Sequence, residues 1–168
     1  MTMYPALVIA SQFINKGIAQ GKPVTPMKLQ KLIYFAHGLH LARYEKPLIK
    51  EQVEAWTYGP VIRDIYYRFK NWGNNPITRA VKMGFWEDDS FVDEGDVIDR
   101  QAQNTINMAW DITKDFNAIQ LSNWTHTEGS PWYQAVSRTE SGIAEYEPID
   151  NNLIKDYFTE IIRTHVGE

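Results

Sequence analysis

The chain has 168 residues, 43% apolar and 13% aromatic, which is enough for one domain to bury a core without metal or disulfide staples. It has no cysteine, which excludes disulfides, thiolate nucleophiles and Cys-ligated zinc and makes a reducing, cytoplasmic setting the expectation. It also lacks a basic leader followed by an apolar run and any stretch of about 18 apolar residues, so neither export nor a membrane span is expected, and its net charge of −4 argues against nucleic acid as the partner.

Helix 1 is predicted from about Pro5 to Ala19, with Ala6, Ile9, Ala10, Phe13 and Ile14 as its buried stripe and Gly17 to Gly21 loosening its end. Thr25 is placed to cap a second helix, and Pro26 fits its first position because the missing N–H has no partner there anyway. Leu29, Leu32, Ile33, Ala36 and Leu39 line one face of that helix, and Phe35, Leu41 and Ala42 extend the apolar surface around it, which marks it as the central helix. Lys46-Pro47 stops it. A brief strand follows, with Val53, Ala55 and Thr57 alternating against Gln52, Glu54 and Trp56. Gly59-Pro60 then reads as a corner opening a third helix, Pro60 to about Asn71, with Ile62, Ile65, Tyr66 and Phe69 inward. Arg63, Tyr67 and Lys70 fall on its other face.

Asn74-Asn75-Pro76 is a turn, and Ile77 to Met83 reads as a short strand or a loop. Glu87 to Asp99 holds seven acidic residues and no basic one, so self-repulsion predicts a solvated, mobile loop. A fourth helix, Ile98 to Phe116, places Ile98, Ala102, Ile106, Ala109, Ile112 and Phe116 in one stripe. Short helical pieces surround Thr125 to Val136, with Ser130 as cap and Pro131 opening a turn. The last helix, Asp150 to Val166, is expected to bury Leu153, Ile154, Tyr157, Phe158, Ile161 and Ile162. The fold class is therefore mainly α with minor β: a single compact helical domain over residues 1–168, with five to seven helices and a short β-ribbon.

Chemistry-bearing residues are sparse. His37 and His40, three apart on helix 2, can share a face as metal ligands must, but two ligands do not make a site. The helical wheel sets His40 among Leu29, Ile33 and Ala36 and His37 at the stripe's edge, which predicts one buried histidine and one peripheral. No nucleophile-elbow, phosphate-loop or zinc-protease motif occurs. His126 with Glu128 and Asp111 or Asp115 is an acid–base set that folding could in principle assemble, and His126 is more simply read as hydrogen-bonded within the fold. From Pro60 to Trp86 there are five basic residues and one acidic, beside the acidic segment, so the two regions either neutralise each other or offer a charged face to a partner.

Two segments carry a family resemblance: Leu29 to Pro60, LQKLIYFAHGLHLARYEKPLIKEQVEAWTYGP, and Leu121 to Trp132, LSNWTHTEGSPW. Together they resemble the Panacea-domain family, which includes SocA-like antitoxins and phage-associated GepA-type proteins, with the likeness strongest over residues 8–136. The resemblance implies an antitoxin, phage- or prophage-borne in some members, that neutralises a cognate protein toxin by direct contact, and SocA-like relatives also deliver the toxin to a protease. Some members add a DNA-binding domain, of which no helix-turn-helix unit or basic extension is evident here.

On that reading the anchors for a toxin are Trp56, Tyr58, Arg63, Tyr67 and Lys70, with Trp124, His126 and Trp132 as a second patch. No catalytic residue, metal or cofactor is expected. Self-association stays open. Two other classes compete: a phage interaction protein or proteolytic adaptor acting on a host factor, and a metal-dependent enzyme.

Overall fold

The computed structural model describes residues 3–80, 82–83, 91–92 and 98–164. Seven α-helices lie among them, with one three-stranded sheet and one two-stranded pair, so the architecture is mainly α with minor β. None of these helices is long and apolar enough to cross a membrane.

Helix α1 (Ala6–Ala19) and helix α2 (Pro26–Tyr44) follow the apolar pattern closely. Thr25 Oγ1 accepts the backbone N–H of Lys28 at 3.2 Å, and Pro26 opens α2. Every residue from Leu29 to Leu41 is buried, because a helix apolar all round is stable only when other elements cover all its sides. Helices α1, α4 (Arg100–Thr113), α5 (Ala118–Thr125) and α7 (Asn151–Ile162) pack around it. Gly38 is the point of closest approach. A Cβ there would fall within the Phe158 ring of α7, so the missing side chain is what lets that ring seat. The expectation of a peripheral His37 is overturned, since His37 and His40 are both buried, because α7 covers one side of α2 and α4 the other.

Strand β1 (Val53–Trp56) pairs antiparallel with β2 (Gly59–Ile62), Trp56 opposite Gly59 and Val53 opposite Ile62. A third strand, β5 (Glu147–Pro148), lies on the other side of β1. The predicted corner is thus a hairpin. Pro60 sits in β2, and helix α3 (Arg63–Phe69) begins three residues later than expected. The reason is a clamp from α2: the Gln30 side chain accepts from Ile62 N at 2.9 Å and donates to Ile62 O at 3.1 Å, which holds this stretch extended. Pro60 is tolerated because β2 is an edge strand. Tyr66, expected inward, is 42% exposed, since its ring packs on Trp56 of the hairpin instead of the core.

The predicted strand at Ile77 to Met83 reduces to β3 (Lys82–Met83), which pairs parallel with β4 (Phe91–Val92). Most of the acidic segment Glu87 to Asp99 lies outside the described residues. Asp99 caps α4 (Arg100–Thr113) by accepting from Ala102 N at 2.8 Å. This helix stops short of Phe116 because Asn117 and Gln120 form a reciprocal capping box that starts α5 (Ala118–Thr125). Phe116, left beyond the helix end, is 46% exposed, and Ile112, also expected in the buried stripe, is 42% exposed. Ser130 and Pro131 open α6 (Pro131–Ser137) as expected. In α7 (Asn151–Ile162) only Ile154 and Phe158 are fully buried, while Leu153, Tyr157, Ile161 and Ile162 are half-buried where neighbouring helices leave the far side of the stripe open.

Candidate functional site

The tip of the β1–β2 hairpin, Trp56 to Pro60, is held by side chains from distant segments. Trp132 Nε1 donates to Trp56 O at 2.6 Å. His126 sets its Nε2 3.0 Å from Thr57 O and its Nδ1 2.7 Å from Ser122 O, so the ring bridges the tip to α5. Tyr58 O accepts from both Lys31 Nζ and Ser122 Oγ at 2.9 Å, and Pro60 O lies 3.5 Å from Lys31 Nζ. Successive carbonyls of a tight turn cannot pair with each other, and here those of Trp56 and Tyr58 find side-chain donors elsewhere. Gly59 is required twice over. Its φ of +119° disfavours a side chain, and a Cβ would stand 2.8 Å from Thr125 Oγ1 and 2.9 Å from Lys31 Nζ.

Lys31 is 3% exposed. Burial lowers its pKa to about 8, and no carboxylate among the described residues pairs with it. An ammonium within a run as apolar as LQKLIYFAH is itself a sequence signal, one the pattern-based reading passed over.

Outside the clasp, the hairpin presents an aromatic face. Tyr58 is 69% and Tyr67 52% exposed. The Trp56 ring lies between those of Tyr66, 4.9 Å away, and Tyr146, 4.8 Å away, and its Nε1 donates to Glu54 Oε1 at 2.9 Å. Arg63 pairs with the same carboxylate at 3.0 Å, and its guanidinium stands 5.5 Å from both the Trp56 and Tyr146 rings, within cation–π range. Lys70 Nζ lies 5.1 Å over the Tyr67 ring. Tyr146 was not anticipated. Its φ of +65° is uncommon for a residue with a side chain, and its N–H donates to Ala55 O at 3.0 Å, fixing the ring beside Trp56. Between this face and the start of α2 is a cavity of about 460 Å³, lined by Gln30, Lys31, Trp56, Tyr66, Lys70 and Tyr146 among others.

The eight sequence-predicted anchors therefore separate. Trp56, Tyr58, Arg63, Tyr67 and Lys70 belong to the hairpin and α3 face. His126 and Trp132, with rings 4.1 Å apart, support the hairpin from behind. Trp124 packs on Phe35 and Phe158 and lines a second, more apolar cavity of about 620 Å³ with Leu39, Ile112, Phe116 and Ile162.

The histidines of α2 have protein partners. His37 Nδ1 accepts from Leu48 N at 3.3 Å and Ile49 N at 3.5 Å, leaving Nε2 to donate to Asn151 Oδ1 at 3.0 Å. His40 Nδ1 is 2.8 Å from Thr105 Oγ1. Burial lowers both pKa values to about 4. No group of three or more metal-ligating side chains converges among the described residues. Of the other acid–base candidates, Asp115 pairs with Lys22 at 2.9 Å and Asp111 with Lys114 at 4.0 Å, away from the His126 bonds.

The family described as Antitoxin SocA-like, Panacea domain, matches residues 29–133. That span contains every side chain of the clasp: Gln30, Lys31, Ser122, His126 and Trp132. Antitoxin SocA of Caulobacter vibrioides (strain NA1000 / CB15N) is 29% identical over 156 residues, 91% of this chain and 81% of that protein. No solved structure matches the chain. The clasped hairpin lies wholly within the matched span, and the chain belongs to the SocA-like Panacea-domain antitoxin family.

Proposed function

We propose that the chain is an antitoxin that binds a cognate protein toxin directly and occludes it, without catalysis, through the face formed by Trp56, Tyr58, Arg63, Tyr67 and Lys70. The observation that carries this reading is an exposed aromatic and cationic surface on a hairpin tip whose backbone is fixed from behind. Aromatic and arginine side chains dominate binding energy at protein interfaces, and a prefixed surface loses less conformational entropy on association. Membership of a family named for an antitoxin supplies the class of partner. His126 and Trp132 act by positioning the tip, and Trp124 serves the same scaffold from the core side.

The test is co-expression with the product of the adjacent gene. That product is expected to arrest growth alone, to be silenced by this chain, and to co-purify with it. A harmless neighbour, or one silenced without a complex forming, would overturn the proposal and favour an adaptor acting on a host factor.

A further inference from the structure

We propose that the cavity floored by Lys31 is an acidic side-chain receptor: a segment of the protein partner passes over the hairpin face and places an Asp or Glu carboxylate on the Lys31 ammonium. The inference rests on the antitoxin reading only in taking a protein as the partner.

Three observations point to this ligand. Lys31 is buried with no carboxylate partner among the described residues, and an uncompensated buried ammonium is costly, so an arriving carboxylate recovers free energy that the free protein forgoes. Its three N–H groups serve Tyr58 O at 2.9 Å and Pro60 O at 3.5 Å, leaving one, which suits a single carboxylate oxygen better than the several oxygens of a phosphate. Among the described residues the cavity walls include a second ammonium, Lys70, and no Asp or Glu, while the aromatic rings of Trp56, Tyr66 and Tyr146 offer apolar contact beside the charge. Two ammonium groups, one at the floor and one just beyond the end of α3, call for more than one carboxylate. A run of acidic side chains supplies that, and a lone chain terminus does not.

The probe is the capped peptide Ac-Ala-Glu-Phe-Glu-Ala-amide, compared with its Gln counterpart by NMR titration of the intact protein. The Glu peptide is expected to bind about tenfold tighter, the scale of one charge-assisted hydrogen bond, with shifts centred on Trp56, Tyr66 and Tyr146. Lys31→Met should abolish the preference. Lys70→Met, at an exposed position, should reduce it severalfold and covers the case in which Lys31→Met does not fold. Equal binding of the two peptides would overturn the proposal. So would displacement by inorganic phosphate at the peptide's own concentration, or tighter binding of the Gln peptide bearing a free C-terminus. A toxin bound equally well by wild type and both variants would remove the receptor and leave the antitoxin reading intact.

Discussion

Lys31 Nζ donates to the carbonyl of Tyr58 at 2.9 Å, joining the central helix to the hairpin tip across 27 residues of sequence. The bond explains why a lysine stands in an apolar helix and a glycine follows Tyr58, since any Cβ at Gly59 would crowd the ammonium. It also has a pH signature. The folded-state pKa is about 8 against 10.5 unfolded, so between those values the unfolded chain holds more protons and stability rises with pH. The full gain is at most about 3 kcal/mol. Below pH 8 the cost of burying the charge is fully present. The unfolding free energy of wild type relative to Lys31→Met should therefore climb between pH 7.5 and 10, and a constant difference would refute the assignment.

Gly38 and Phe158 give a prediction that opposes helix propensity. Gly38→Ala in an exposed helix would stabilise by about 1 kcal/mol. Here the added methyl meets the Phe158 ring, and overpacking should cost about 1 to 3 kcal/mol instead. Phe158→Leu in the same chain should recover part of that loss. Chemical denaturation of the single and double variants decides it, and a stabilised Gly38→Ala would show that α7 shifts freely.

Several helix starts were legible from local chemistry. Thr25-Pro26 and Ser130-Pro131 are caps whose partners lie within three residues, and α2 announced itself by being apolar on all sides, whereas the equally local caps at Asp99 and Asn117 were hidden by an apolar stripe that reads straight through them. What was not legible depends on partners far along the chain. Helix α1 has no side-chain cap of its own, yet Ala6 N donates to Glu51 Oε1 at 2.8 Å, 45 residues on. Pro60 looked like a helix opener because nothing adjacent reveals that Gln30 claims the backbone of Ile62. The exposure of Arg63 and Tyr67 on α3 was readable from its polar face, whereas Tyr146 carries no local signal and reaches Trp56 only through the β1–β5 pairing. Lys31 was readable in principle, as a charge set in an apolar helical run.

The buried histidines predict acid sensitivity. Both have folded-state pKa values of about 4 against 6.5, so the unfolded chain binds more protons between those values and stability falls as pH drops through that window. Above pH 6.5 their contribution is complete. His37 alone should cost about 2 kcal/mol by pH 5, before most carboxylates titrate. Urea denaturation at pH 7, 6 and 5 measures this, and a flat profile would mean that the rings admit a proton where they stand.

Arg63→Ala and Tyr67→Ala should each weaken toxin binding by about 1 to 2 kcal/mol. Stability should change by less than about 1 kcal/mol, because both residues are exposed and the Arg63–Glu54 pair is partly solvated. Calorimetric titration against the purified toxin, alongside thermal melts, separates the effects. Unaltered affinity in the double variant would move the interface to another face.

Trp132 tests whether the clasp does more than stabilise. Trp132→Phe keeps an aromatic ring near His126 but removes the N–H that Trp56 O accepts at 2.6 Å, so the tip loses one of the bonds that fix it from behind. The loss should amount to about 1 to 2 kcal/mol. Its location matters more than its size. Hydrogen exchange should rise over residues 53–62, where the hairpin amides are, and over 122–126, which hold the same tip, while the amides of α2 and α7 keep their protection. Toxin affinity should fall as well, because a loosened tip must be ordered again on binding. A variant that melts earlier with uniform exchange and undiminished affinity would reduce Trp132 to a core residue and detach the clasp from recognition.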